Sequence, residues 1–379
     1  LMQRLLKLSG GNLQASRAVQ VRGLAAQTAQ ASMSPPSISQ RKAAVLGGFC
    51  ADSATYPLHW IYDVSKVKEL LSGKEDCPEF YPTPSCPFYN SGPVGVQSCY
   101  GDELIPLLKA MAENGGEFDA AKYTEALHEF YTKASPNSYR NKSIRSFLAA
   151  YDEGKRGVAC GDTTDSQANC FTKVPIIVAK YAGRPECMAK VEEAIRVQQN
   201  NDQAVQHGMA AARIMEKVML GDSIDAALAW AKDTPGALEP EMQQLVAKAV
   251  EAAKNPPKEL TFEPPAYMKP MMDKMVAEKD SMSPYTWAVW CHGPACGNPA
   301  ALTNVLMTAA AFGAKASSSG YAEAVRSNLL AAGDNASRTI FIGALLAAAN
   351  GTEAAIPEEW KKATKHFEQF EKWCDQIYA

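Results

Sequence analysis

The 379-residue chain lacks the sequence patterns of a zinc module, a membrane protein and a nucleic-acid-binding protein. Its ten cysteines form no Cys-x-x-Cys pair and no spaced His/Cys cluster, so a zinc site is not indicated. No apolar run approaches the roughly 18–20 residues that a membrane-spanning helix needs. The 41 acidic and 38 basic residues nearly balance, which leaves no basic excess for a general nucleic-acid surface. With 46% hydrophobic residues, the chain can bury a sizeable core.

Acidic residues are absent from the first 51 positions, which carry only basic charges. Leucine and valine are interleaved with the first four basic residues, which are Arg4, Lys7, Arg17 and Arg22. Such a leader is typical of organelle transit peptides, and a Ser/Pro-rich linker follows it. We predict a leader and linker over residues 1–37, a helical domain over 38–379, and a mitochondrial location, with plastid and cytoplasmic locations as alternatives. A disordered or partner-bound basic tail is the other interpretation of the leader.

The spacing of apolar residues after the linker predicts helices, and no alternating pattern of useful length predicts a strand. Helices are predicted at 118–131, 202–220 and 239–254. The segment 299–349 is apolar nearly all round, which is typical of helices at the centre of a domain. Two stretches, 74–101 and 255–286, are predicted to be irregular. The predicted fold is therefore all-α, as one compact helical domain.

Carboxylates stand at several predicted helix starts, notably Asp52, Asp102 and Asp334. A carboxylate in this position commonly caps free backbone N–H groups. Asp102 and Asp334 differ from the others because the helices that they open are expected to be buried. If these two helix starts face each other, their carboxylates form an oxygen-rich site that suits Mg²⁺.

Aromatic side chains and one Cys-His pair lie near the same loops. Trp60, Trp287 and Trp290 can stack on a flat ring, although filling the core is an equally good interpretation. Cys291 and His292 form a thiol and an imidazole side by side, but adjacent residues rarely face each other. We do not expect this pair to act as a nucleophile and base.

Five motifs occur along the chain in a fixed order. They read GGFCADSATYPLHWIYD (47–63), SCYGDE (98–103), DSQAN (165–169), HGPACGNP (292–299) and GDNASRTIFIGALLAAANG (333–351). Together they resemble the signatures of the ADP-ribosylglycohydrolase family. Their residues are most similar to those of its J1-crystallin-like branch. The resemblance implies a compact all-α domain whose active site holds two Mg²⁺ ions. It also implies hydrolysis of the glycosidic bond between ADP-ribose and a protein side chain or related group.

The resemblance places metal-binding motifs at two helix starts. In the family, one motif is Asp-x-Asp-Thr, and Asp334 matches its first aspartate. The second aspartate of that motif falls on Ala336, and its threonine falls on Ser337.

The other family motif is a Thr-Asp-Asp triplet, of which Asp102 matches one aspartate. The neighbouring aspartate falls on Gly101, and the threonine falls on Tyr100 or Ser98. Two of four metal-binding carboxylates are therefore replaced by residues without side-chain oxygens.

These correspondences define the candidate site. The candidate metal ligands are Asp102, Asp334, Ser337 and Ser98. The candidate catalytic residues are Asp102, Glu103 and Asp334. The candidate pocket residues for an ADP-ribose-like ligand are Asp52, Asn169, Trp287 and Asn298.

The loss of two carboxylates determines the predicted function. Two adjacent dications with two carboxylates leave much charge uncompensated, so we expect weak Mg²⁺ binding or none, unless Asp52 or Glu103 compensates. The predicted function is that of a non-catalytic binding or structural protein, either crystallin-like or a subunit of a larger organellar assembly. The alternatives are an active Mg²⁺-dependent hydrolase of ADP-ribose conjugates and a metal-free sensor of ADP-ribose or a nucleotide.

Overall fold

The computed structural model describes residues 35–88, 92–315 and 317–379. The predicted leader lies almost wholly outside these ranges, so its targeting role stays a prediction. From Pro36 to Ala379 the chain packs as one unit.

Helices make up the described ranges, with irregular loops and short 3₁₀ turns between them. They are α1 Ile38–Thr55, α2 Val64–Leu70, α3 Cys99–Glu113, α4 Ala120–Glu129, α5 Lys142–Asp152, α6 Asn169–Thr172, α7 Val174–Tyr181, α8 Cys187–Arg196, α9 Asp202–Met219, α10 Ile224–Asp233, α11 Pro240–Lys254, α12 Lys269–Glu278, α13 Pro284–His292, α14 Ala300–Phe312, α15 Ser318–Leu330, α16 Asn335–Asn350, α17 Glu358–Ala363 and α18 Phe367–Tyr378. These ranges contain no strand and only isolated bridges, which confirms the all-α fold. None of the helices described is both long and apolar enough to cross a membrane.

Polar side chains start many of these helices by accepting a hydrogen bond from a free backbone N–H group in the first turn. The capping residues include Ser37, Asp63, Asn141, Asn201, Ser223 and Ser283. The predicted helices at 118–131, 202–220 and 239–254 correspond to α4 with the π-helical turn after it, to α9 and to α11.

The prediction of irregular structure over 255–286 was wrong in part. Lys269–Glu278 forms α12, and α13 begins at Pro284. Pro256, Pro257, Pro264 and Pro265 all precede α12. Pro270 and Pro284 lie in the first turns of α12 and α13, where proline removes no needed hydrogen bond. Met272 and Met275 hold α12 in place because both are buried.

The centre of the domain is the crossing of α1 with α16. Gly47 and Gly343 face each other at this crossing, where a Cβ on Gly343 would lie 2.6 Å from the Ala51 Cβ and 2.6 Å from the Gly47 carbonyl oxygen. Backbone therefore packs directly on backbone. This confirms that the segment 299–349 is central, and it shows why small residues are needed there.

A second apolar cluster lies between α2, α12 and α13. It contains Trp287 and Trp290, together with methionines of α12. Both indoles are therefore packed among core side chains, which favours the interpretation of these two tryptophans as core residues.

Candidate functional site

Asp334 immediately precedes α16, but its carboxylate caps no backbone N–H group of that helix. Its Oδ2 instead accepts hydrogen bonds from Trp60 Nε1 at 2.7 Å and from the Tyr100 hydroxyl at 3.0 Å. Its Oδ1 lies 3.8 Å from His59 Nε2. The capping interpretation is therefore wrong for Asp334, whose buried carboxylate is turned toward other parts of the fold.

Trp60 reaches Asp334 because its loop pairs with the turn before α16. Trp60 N donates to Gly333 O at 2.9 Å, and Gly333 N donates to Ile61 O at 2.7 Å. The φ angle of Trp60 is 60°, a left-handed conformation that is unfavourable for a residue with a Cβ. The two backbone hydrogen bonds hold this conformation and direct the indole N–H at the carboxylate.

Asp52 was expected at a helix start, and this was wrong, because it lies in the last turn of α1. From there its carboxylate anchors the start of α3. Ser98 N and Ser98 Oγ donate to its two carboxylate oxygens at 2.7 Å and 2.6 Å. Burial raises the pKa of Asp52 to about 7, although both hydrogen bonds act in the opposite direction. A Cβ on Gly101 would overlap Oδ2 of Asp52 and would lie 2.6 Å from Gln97 Oε1 and 2.8 Å from Gln97 Cβ. The Asp52 carboxylate and the Gln97 side chain therefore fill the space that a side chain at position 101 would need.

Asp102 lies in the first turn of α3 and is buried. Its Oδ2 has no hydrogen-bond partner. Burial raises the pKa of Asp102 to about 8; a hydrogen bond to Ser138 acts against this rise, and the neighbouring Asp52 and Glu103 add to it. Asp102 thus belongs to a compact group of three acidic residues.

Glu103 is held by three side-chain amides. Asn141 Nδ2, Asn169 Nδ2 and Gln198 Nε2 donate to its carboxylate at 2.6, 2.7 and 2.9 Å. Lys173 supplies a nearby positive charge, while burial raises the pKa of Glu103. Glu103 and Asn169 therefore form a polar network inside the domain that ties α3 to α5 and α6.

Two further candidates make hydrogen bonds to nearby backbone. Ser337 Oγ donates to the Asp334 carbonyl oxygen at 3.1 Å, one turn back along the chain. Asn298 Nδ2 donates to Ser166 O at 2.9 Å and so joins the loop before α14 to the loop before α6.

The first turn of α3 and the start of α16 do meet, but through Tyr100 rather than through two carboxylates. The Tyr100 hydroxyl contacts Asp334, whereas Asp102 has Ser138, Asp52 and Glu103 as its neighbours. Within the described ranges, no group of three or more His, Cys, Asp or Glu side chains is arranged to hold a metal ion.

A cavity of about 320 Å³ opens above Asp334. Its lining combines aromatic, basic and polar side chains, namely Trp60, Tyr62, Phe88, Tyr139, Asn141, Lys142, Arg145, Gln167, Cys296 and Asp334. The Trp60 ring meets Phe88 and Tyr139 edge-on, with centroids 5.6 Å and 4.9 Å apart. None of the four candidate pocket residues, Asp52, Asn169, Trp287 and Asn298, is part of this lining.

Arg338 is a residue of this site that the sequence motifs did not single out. It is buried in α16, where Nε donates to Asn328 Oδ1 at 2.7 Å. Nη1 and Nη2 donate to Pro294 O at 3.0 Å and to Ala332 O at 2.8 Å. An arginine inside an otherwise uncharged helix was the available signal, because a buried charge requires compensation.

Cys291 and His292 do not form a thiol–imidazole pair. The Cys291 thiol contacts Pro257 O at 3.6 Å, and His292 Nδ1 lies 3.1 Å from Asn304 Oδ1. Burial raises the pKa of Cys291 to about 12 and lowers that of His292 to about 4. The thiol is thus held protonated and the imidazole neutral, in agreement with the expectation that this pair is not catalytic.

His292 is expected to make the fold sensitive to acid. Its folded pKa lies below the usual unfolded value of about 6.5, so its contribution to stability is present above pH 6.5 and is lost as the pH falls toward 4. We expect His292→Gln to reduce the slope of unfolding free energy against pH by roughly 1.4 kcal/mol per pH unit between pH 6 and 4.5. Urea unfolding of both proteins at several pH values measures the slope, and equal slopes would contradict this role.

The sequence model of the ADP-ribosylglycohydrolase family matches residues 33–379. Crystallin J1A of Tripedalia cystophora is 26% identical over 349 residues, which cover 89% of this chain and 95% of that protein. Crystallin J1B of the same organism is 30% identical over 202 residues, or 50% of this chain and 61% of that protein. A solved structure titled "ADP-ribosylglycohydrolase-related protein complex" shares the fold, with a TM-score of 0.63 at 16% identity over 90% of this chain and 97% of its own. The chain therefore belongs to the ADP-ribosylglycohydrolase family.

Proposed function

We propose that this protein is a non-catalytic binding or structural member of its family, with a degenerate di-magnesium site. The main support is the space at position 101, where the family motif has a carboxylate and this chain has Gly101. The Asp52 carboxylate fills that space and is itself held by Ser98. Ala336, at the second substituted position, is buried and supplies no oxygen ligand from its side chain.

The relatives are consistent with this proposal. Crystallin J1A resembles this chain over nearly its whole length, and its name describes a crystallin rather than an enzyme. By analogy, this protein would act through its fold, its pocket or its surface rather than through catalytic turnover of a substrate. Assembly with partners in an organelle is part of the same proposal.

The cavity above Asp334 favours one second function, which is metal-free binding of an ADP-ribose-like ligand. Trp60, Phe88 and Tyr139 offer aromatic faces and edges to a flat ring. Lys142 and Arg145 bring positive charge to the same cavity, and phosphate groups pair well with such side chains. Aromatic and basic groups in one cavity suit a nucleotide-like molecule without help from a cation.

Calorimetric titration of ADP-ribose into the full chain, once with Mg²⁺ and once with EDTA, tests both functions. We expect binding that EDTA leaves unchanged, and no hydrolysis of an ADP-ribosylated peptide in either buffer. Lys142→Gln is expected to weaken binding about tenfold, since it removes one charge-assisted hydrogen bond. The exposed Lys133→Gln serves as the matched control.

Other outcomes separate the alternatives. Hydrolysis that requires Mg²⁺ and is abolished by Asp102→Asn would contradict the proposal and establish the hydrolase. Binding in neither buffer would exclude the sensor and leave a structural role.

A further inference from the structure

We infer that this chain neutralises Asp334 with its own residues rather than with a metal ion, since Arg338 supplies the positive charge and Trp60 and Tyr100 supply hydrogen bonds. This inference rests on the proposed degenerate site and goes further by naming what has replaced the metal there.

Arg338 is placed to act as the internal cation. It follows Asp334 by one helical turn, and its guanidinium is buried. Its hydrogen-bond acceptors are the uncharged Asn328 side chain and the Pro294 and Ala332 carbonyl groups. A buried guanidinium without a counter-charge is unfavourable, so Asp334 and Arg338 stabilise each other.

The backbone brings the two charges into one cluster. Asp334 N donates to Pro294 O at 2.9 Å, and Arg338 Nη1 donates to the same oxygen at 3.0 Å. The Pro294 carbonyl group thus links the backbone of one charged residue to the side chain of the other. This geometry fixes their separation without direct contact between guanidinium and carboxylate.

Trp60 and Tyr100 occupy one of the two carboxylate oxygens with which Asp334 could bind a metal. Two hydrogen-bond donors converge on Oδ2 of Asp334, at 2.7 Å from Trp60 Nε1 and 3.0 Å from the Tyr100 hydroxyl.

Mg²⁺ does not fit this arrangement. The ion requires near-octahedral oxygen ligands at about 2.0–2.1 Å, usually with several waters. At Asp334 one oxygen already accepts two hydrogen bonds, and the other faces the His59 imidazole at 3.8 Å. An ion on Oδ2 would have to displace Trp60 and Tyr100, and an ion on Oδ1 would have to fit between that oxygen and the His59 imidazole. The buried Arg338 charge would repel the ion in either position.

A double-mutant cycle on the full-length protein tests the inference. It combines Asp334→Asn, Arg338→Met and the double variant. Removing one charge leaves the other buried alone, so we expect each single variant to lower Tm by roughly 10 °C. The decrease in Tm of the double variant should be much smaller than the sum of the two single decreases.

Lys269→Met and Asp273→Asn form the matched control, because that pair also lies one turn apart but is exposed. The decreases in Tm for this pair should be small and additive. Additive losses for Asp334 and Arg338 would overturn the inference.

Manganese binding followed by electron paramagnetic resonance gives a second readout, even if Arg338→Met fails to fold. The unmodified protein is expected to show no sub-millimolar Mn²⁺ site that depends on Asp334. A tight site that Asp334→Asn removes would overturn the inference. If such a site appeared without hydrolysis, the proposed non-catalytic function would survive. Hydrolysis without bound metal would have the opposite meaning, because it would contradict the proposed function and leave the inference standing.

Discussion

Gly101→Asp, which restores the carboxylate of the family motif, is expected to lower the free energy of unfolding by about 4 kcal/mol rather than to rebuild a metal site. A side chain at position 101 would overlap Oδ2 of Asp52, and its carboxyl group would be buried beside those of Asp52 and Asp102. Urea unfolding followed by circular dichroism measures the loss, and a Mn²⁺ titration of the folded variant tests for metal binding.

The matched control transfers the carboxylate from one helix to the other. In the double variant Gly101→Asp with Asp52→Ala, the space that Asp52 occupied becomes free for the new side chain. Asp52→Ala alone is the reference, because it already loses the hydrogen bonds from Ser98. We expect Gly101→Asp to cost at most half as much stability in the Asp52→Ala protein as in the unmodified protein. Equal costs in the two proteins would mean that the overlap with Asp52 is not the cause of the loss, and the support for a degenerate site would weaken.

Gly343→Ala is expected to lower the free energy of unfolding by about 2 kcal/mol, although alanine is the better helix former. The new Cβ would lie 2.6 Å from both the Ala51 Cβ and the Gly47 carbonyl oxygen, so α1 and α16 would have to separate. Chemical denaturation measures the loss.

Gly297→Ala is the control for this prediction, because a Cβ there has no atom within 4 Å. It should change stability by only a few tenths of a kcal/mol. Equal effects of the two substitutions would mean that the loss at Gly343 does not come from close packing of the two helices.

The periodicity of apolar residues was sufficient to predict the fold class and the central helices. The segment 299–349 is apolar on every side, and helices of this kind are stable only when they are surrounded by others. The motifs at 47–63 and 333–351 likewise indicated the family by their resemblance to its signatures, and they contain the small residues that let α1 and α16 approach. Local signals of this kind depend on neighbours within one or two helical turns, so they can be recognised from the sequence alone.

The chemistry of the site could not be predicted in the same way. Asp102 and Asp334 were both expected at buried helix starts, and both are there. Whether their carboxylates meet depends on loops far apart in sequence, and it is Tyr100 that meets Asp334. Trp287 was a candidate for the pocket by its closeness to a motif, but its ring packs against methionines of α12.

The sequence by itself therefore determined the all-α architecture, the family and the absence of side-chain oxygens at Gly101 and Ala336. Only the tertiary structure decided what each remaining carboxylate contacts: Ser98 for Asp52, and Trp60 and Tyr100 for Asp334. The physical reason is that helix formation and burial follow local patterns along the chain. Hydrogen bonds and charge compensation at a buried carboxylate depend on distances of a few ångströms between residues that lie tens to hundreds of positions apart.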